Sequence, residues 1–184
     1  HWDLPQCLMD RGGFLSRDIS DWFEYYATTC AKLFGDRVKY FMTFNEPECI
    51  CHLGYGTGSH APYIQGGVEH AAIAAHNLLL ANGKAVRALK KYCTTDVKVG
   101  FVIACSPKIP LDEKKDVEFA REAMFAGCGD NLFNNIHFTD PIVLGKYPEH
   151  IVSKFSKPLI YDEKDMEIIK CDLDFIGVNI YQGD

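Results

Sequence analysis

Positive charge is scarce in this chain. Its 19 lysines and arginines stand against 25 aspartates and glutamates, a net charge of −6 over 184 residues. No basic stripe or arginine-rich run offsets that balance, so nucleic-acid binding has no electrostatic basis. No apolar run approaches the roughly 20 residues that a membrane span needs. Linkers, low-complexity stretches and internal repeats are absent as well. The run Gly54-Tyr55-Gly56-Thr57-Gly58 has no Lys-Ser or Lys-Thr after it and no helix directly behind it, so it reads as turn chemistry rather than a phosphate loop. A glycine fingerprint after a strand, with an acidic residue at the right distance, is also missing. That argues against a small doubly wound nucleotide-binding domain. There is no signal peptide and no initiator methionine: the chain opens on His1-Trp2-Asp3-Leu4-Pro5, as a segment cut from a longer polypeptide would.

Cysteine is not scarce, but its pattern is uninformative about metals. Eight cysteines stand at 7, 30, 49, 51, 93, 105, 128 and 171, mostly inside apolar patterns. A chain of this size with an ordinary core needs no disulfide framework, so free thiols in a reducing compartment, the cytoplasm, are expected. Cys49, Cys51, His52 and His60 do not follow the usual paired-ligand spacing, and no metal or cofactor is expected.

Hydrophobic residues make up 47% of the chain and charged residues 24%, enough for one sizeable core. The most informative stretch is Thr43-Phe44-Asn45-Glu46-Pro47. A short β-branched and aromatic run from Val38 to Phe44 leads into it and reads as a buried strand. Proline cannot donate to a sheet ladder and pushes its predecessor out of the helical region, so the strand stops abruptly with Glu46 at its mouth.

Around that strand the pattern alternates. Ile19, Trp22, Phe23, Tyr26, Ala27, Cys30, Leu33 and Phe34 fall at helical spacing and predict a helix ending at Gly35-Asp36 with that stripe in the core. Residues 45–67 read as a long loop. A second helix is predicted over about 68–91, with His70 and His76 at element boundaries, then a strand at 97–103 and a helix over about 113–128. Asp140-Pro141 and Lys146-Tyr147-Pro148 mark a second long connection, followed by short helices near 148–155 and 162–170. The last strand is predicted over 173–181. Apolar strands separated by helices argue a parallel sheet with helical crossovers.

Polar residues collect where those strands end: His1, Trp2 and Asp3; Asn45 and Glu46; Asn179 and Tyr181. In a parallel α/β barrel, those ends share one face, and chemistry lives there. Histidine, asparagine and tyrosine fix hydroxyls, tryptophan offers a flat face to a sugar ring, and a glutamate among them can donate a proton. Glycoside hydrolysis needs such an acid at the leaving oxygen and a second carboxylate opposite it.

The order of motifs resembles glycoside hydrolase family 1, the β-glucosidase family. His1-Trp2-Asp3-Leu4-Pro5, Gly12-Gly13, Phe34-Gly35-Asp36-Arg37-Val38-Lys39, Thr43-Phe44-Asn45-Glu46-Pro47, Gly58-Ser59-His60-Ala61-Pro62, Asp140-Pro141, Gly145-Lys146-Tyr147-Pro148 and Asp174-Phe175-Ile176-Gly177-Val178-Asn179 follow one another as in that family, across nearly the whole chain. The resemblance implies part of a (β/α)₈ TIM barrel, from the end of its third strand through its sixth. The chain would then be a single partial domain over 1–184, incomplete at both ends. It also implies retaining hydrolysis of β-linked saccharides or aryl and alkyl β-glycosides, without nucleic acid, membrane or cofactor. By resemblance Glu46 is the general acid/base and Asn45 holds the sugar 2-hydroxyl. His1 and Trp2 line the sugar pocket, Tyr181 bonds the nucleophilic carboxylate with Asn179 nearby, and Cys49 and the loop behind it face the aglycone.

The sequence departs from the family pattern in four ways. Glu48 stands where tryptophan is frequent, Tyr63 where glycine is frequent, and His137 where an aromatic residue is common. The family's nucleophile, a glutamate in a Thr-Glu-Asn-Gly segment, has no counterpart here. The expectation is therefore a middle section of an enzyme, inactive by itself. The alternative is a sugar-binding remnant or an assembly partner for a complementary fragment.

Overall fold

The computed structural model describes residues 2–126 and 130–183; His1 and Cys128 lie outside them. Three strands, β1 (Tyr40–Asn45), β2 (Lys98–Cys105) and β3 (Phe175–Ile180), form one parallel sheet in the order β1-β2-β3. Strands consecutive in sequence are therefore neighbours in space, joined by helical crossovers as their apolar composition predicts.

A short helix α1 (Gln6–Met9) and α2 (Ile19–Phe34) precede β1, and α3 (Gly67–Tyr92) crosses from β1 to β2. Between β2 and β3 lie α4 (Val117–Phe125), α5 (Ile136–Leu144), α6 (Glu149–Val152) and α7 (Met166–Ile169). The core centres on α3. From Ala74 to Gly83 every residue of this helix is buried, because elements surround it. Small Ala27 and Ala31 of α2 join Ala85, Val86, Ala88 and Leu89 in one apolar cluster. Phe44 and Phe101 of the sheet join its leucines in a second. Gly83 sits where a Cβ would come within 2.0 Å of the Ile168 carbonyl oxygen, so only glycine lets α7 lie this close.

Several expectations need correcting. The predicted core stripe on α2 is only half buried: Ile19, Ala27 and Ala31 are inside, whereas Tyr26 is 62%, Leu33 57% and Phe34 45% exposed. The small residues carry the α2–α3 contact, Trp22 and Phe23 pack partly buried against the core, and Tyr26, Leu33 and Phe34 stay exposed. Residues 45–67 are not all loop. Cys49–Gly56 forms a π-helical segment, closed by an amide bond from Thr57 back to the His52 carbonyl at 2.8 Å. Its Tyr55 is buried and accepts from the Phe14 amide at 3.1 Å. Such burial is a tertiary effect that the glycine run disguised.

Helix α5 occupies part of the second expected connection. Pro141 lies inside it and forfeits one backbone bond. Burial of Phe138, Pro141 and Ile142 offsets that loss. The helix predicted at 113–128 is shorter, starting at Val117 behind a turn in which the Asp112 amide donates to Asp116.

His76 is not at an element boundary. It is buried mid-helix, with Nδ1 2.8 Å from the Tyr147 hydroxyl and Nε2 2.9 Å from Asp165. Arg17 grips the same carboxylate with two bonds of 2.5 Å. That fork, together with His76, holds Asp165 down to about 2 against its burial. Burial lowers the His76 pKa. A neutral His76 donating from Nε2 to Asp165 then accepts the Tyr147 hydroxyl proton at Nδ1. One network so ties residues 17, 76, 147 and 165.

Candidate active site

The site is built where β1 ends. Met42 pairs with Gly100, but Asn45 pairs with Val102, so β1 carries one extra residue. A β-bulge of this kind bends its strand and re-aims side chains, and it is frequent beside active sites. Glu46 follows with φ 49, in the left-handed region that disfavours a side chain. Its amide still donates to the Val102 carbonyl at 2.9 Å, and its own carbonyl accepts from the Cys49 amide at 3.0 Å. Bulge, left-handed turn and Pro47 together stop the strand and leave the Glu46 side chain buried at the sheet's carboxyl end.

Glu46 is held on both oxygens. Asn179, near the end of β3, donates through Nδ2 to Oε1 at 2.8 Å. The same nitrogen lies 3.0 Å from Oδ1 of Asn45. Cys49 places its sulfur 3.6 Å from Oε2. Burial first, then the charges of Glu48 and Glu46, push the Cys49 thiol up to about 12. It therefore keeps its proton and acts as a weak donor, not as a nucleophile. The indole nitrogen of Trp2 donates to the Asn45 carbonyl at 3.2 Å, and its ring lies 5.2 Å from that of His60. A cavity of about 620 Å³ opens on this side, lined by Trp2, Cys49, Ile50, His60 and Tyr63.

Of the residues singled out in the sequence, Trp2, Asn45, Glu46, Cys49 and Asn179 thus converge. Tyr181 stands one residue past β3 at the same sheet end, is 83% exposed, and makes no hydrogen bond among the described residues. Three other acids are engaged elsewhere. Asp174, at the opposite end of β3, accepts from the Val99 amide at 2.9 Å and pairs with Lys90. Glu69 is paired with Lys157 at the surface. Glu48 is 1% exposed, and its Oε1 accepts from the Ala104 amide at 2.9 Å. Among the described residues, no group of three or more His, Cys, Asp or Glu is placed to hold a metal ion.

Sequence reasoning noticed Glu48 only as a substitution. The signal available was a carboxylate set against the apolar run Cys49-Ile50-Cys51, which only a buried role explains. Tyr63 finds its account in the backbone. Its φ is 63, a conformation that glycine adopts freely and a side chain resists.

The sequence profile of glycosyl hydrolase family 1 matches residues 1–184. The chain belongs to glycosyl hydrolase family 1. Beta-glucosidase A of Acetivibrio thermocellus is 35% identical over all of this chain and 40% of its own length. A 1,4-beta-D-glucan glucohydrolase of Thermotoga neapolitana is 38% identical over all of this chain and 42% of its own. The solved structure of the Thermotoga maritima beta-glucosidase in complex with glucoimidazole overlays with a TM-score of 0.84 at 36% identity. It covers all of this chain and 40% of that one. The chain thus spans about 40% of the length of the curated relatives it matches. Its three parallel strands and their helices correspond to part of the (β/α)₈ barrel of family 1.

Proposed function

We propose that this chain carries the acid/base half of a retaining β-glycosidase site. The supporting observation is the joint hold of Asn179 on Glu46 and Asn45 at the carboxyl ends of neighbouring parallel strands. That is where barrel chemistry takes place. Glu46 donates its proton to the glycosidic oxygen as the bond to the anomeric carbon breaks, then takes a proton from the water that releases the sugar. Asn179 fixes the rotamer of the acid through Oε1, leaving Oε2 towards the Cys49 side. Asn45 bonds the sugar 2-hydroxyl, a contact that strengthens in the transition state. Trp2 gives the sugar a flat wall. Tyr181 reaches the attacking carboxylate, and the cleft behind Cys49 takes the aglycone.

A retaining mechanism needs a second carboxyl about 5–5.5 Å from the first. Glu48, Glu69 and Asp174 are each engaged elsewhere. By the family resemblance the attacking carboxylate lies in a segment outside these residues, and the 184-residue chain by itself is expected to be inactive. Seven free cysteines among the described residues suit a reducing compartment such as the cytoplasm.

Leaving-group dependence tests the role of Glu46. In the full-length enzyme, Glu46→Gln lowers turnover of alkyl β-glycosides by about 10²–10⁴-fold, the usual contribution of general acid catalysis. Aryl β-glycosides with activated phenolic leaving groups lose much less in the first step. Equal losses for both classes would remove Glu46 from the role.

A further inference from the structure

The left-handed turn at Glu46 ends the backbone ladder between β1 and β2: the last bond across it runs from the Glu46 amide to Val102, and the Glu46 carbonyl turns to the Cys49 amide. Two residues farther along β2, the Ala104 amide has no strand partner on that side. Both backbone groups of Ala104 are met by side chains instead. Its amide donates to Oε1 of Glu48 at 2.9 Å, and its carbonyl accepts from Nδ2 of Asn135 at 2.6 Å. Across the sheet, Ala104 is in register with Asn179, the residue that holds Glu46. A closed circuit results, from Glu46 through Pro47 and Glu48 to Ala104, on to Asn179 and back to Glu46. It encloses the left-handed turn at Glu46, and a non-glycine residue keeps such a conformation only where its surroundings over-determine it.

We propose that Glu48 is a positioning residue for Glu46: as acceptor for the Ala104 amide its carboxyl takes the place of the Glu46 carbonyl, which the turn gives to the Cys49 amide, and so it holds the end of β2 and fixes the turn that aims Glu46 at Asn179. The proposal deepens the reading of Glu46 as the acid and rests on it for its kinetic consequence.

The state of Glu48 fits the role. The residue is 1% exposed, and its Oε2 is buried without a hydrogen-bond partner. An ionised carboxylate in that position costs more than a neutral acid. Burial first, with the charge of Glu46 adding to it, pushes the Glu48 carboxyl up to about 7 against the pull of its backbone hydrogen bonds. In the protonated form Oε1 is the carbonyl oxygen that accepts from Ala104. In this form Glu48 is electrically a glutamine. It clamps the chain two residues from the acid without repelling it.

Two variants separate the clamp from mere filling. Glu48→Gln keeps the acceptor, and Glu48→Leu keeps the bulk but loses it. In full-length protein labelled with ¹⁵N at alanine and asparagine, Glu48→Leu speeds hydrogen exchange at the Ala104 amide at least about tenfold. It also shifts the side-chain amide resonance of Asn179, and Glu48→Gln does neither. Unchanged signals in Glu48→Leu, or equal disturbance by both variants, would overturn the proposal whether or not the protein hydrolyses glycosides. Kinetically, Glu48→Leu lowers kcat on alkyl β-glycosides by on the order of 10²-fold, the scale of a roughly 1 Å misplacement. It lowers kcat far less on activated aryl β-glycosides, and Glu48→Gln restores it. Equal losses on both substrates would mean a structural role and contradict the positioning one. If Glu46→Gln itself showed no leaving-group dependence, the reading of Glu46 as the acid would fail, and the amide signals would still decide the clamp.

Discussion

At the scale of single residues, two substitutions against the family pattern have opposite characters. Glu48 is buried and used. His137 is buried and unused: both ring nitrogens lack a hydrogen-bond partner, and its ring is packed among Phe138, Tyr147 and Phe155. Burial lowers its pKa to about 3. The folded protein therefore holds His137 neutral, whereas the unfolded chain protonates it below its ordinary value of 6.5. The unfolded state binds the extra proton in that window, so this residue lowers stability as pH falls from 6.5 towards 3. His137→Phe removes two unpartnered polar atoms and this proton uptake. It is expected to raise stability by about 1–3 kcal/mol, the cost of a buried unsatisfied group. The gain at pH 5 should exceed the gain at pH 7. Denaturant unfolding at the two pH values checks this, and a variant less stable than the parent at pH 5 would contradict it.

At the scale of elements, the helix–strand order was legible because each element carries its own pattern. The strand at 173–181 shortens to Phe175–Ile180, and the helix at 68–91 becomes Gly67–Tyr92. What local pattern could not carry are features decided by neighbours. The bulge between Met42 and Asn45 exists only relative to β2. The π-helical segment is held by burial of Tyr55 against Phe14, 41 residues away. The Glu46, Asn45 and Asn179 cluster was legible as residue types at strand ends, but the Glu48–Ala104 bond was not, because it needs the register of β2.

Gly83 shows the same contest between levels. On helix propensity alone, Gly83→Ala stabilises α3 by about 1 kcal/mol. The structure predicts the reverse sign, because the new Cβ meets the Ile168 backbone and must push α7 away from α3. The expected outcome is a loss of about 1–3 kcal/mol, the usual scale of overpacking, read from thermal unfolding. A Gly83→Ala protein more stable than its parent would show that α7 can shift freely.

At the scale of the whole molecule, both faces of the sheet are left partly open. The side of β3 that carries Asn179 turns towards Glu46, while Ile176 is 44%, Val178 48% and Ile180 59% exposed on the other side. On β1, Tyr40 is 68% and Met42 60% exposed. Parallel sheets occur almost only with both faces covered. In family 1 relatives, of which this chain matches about 40%, further segments are available to cover them. The same segments would supply the second carboxylate. In the proposed function these residues contribute the proton donor and not the nucleophile.

The most direct measurement is hydrolysis of an alkyl β-glucoside by the purified 184-residue chain. It is assayed alone and after addition of the segments that flank the matched region in the complete enzyme. The account predicts no turnover by the chain alone. With the flanking segments added, turnover of a poor leaving group is expected, and Glu46→Gln abolishes it. Turnover by the chain alone that disappears in Glu46→Gln would contradict the account, since a carboxylate among these residues would then be the nucleophile.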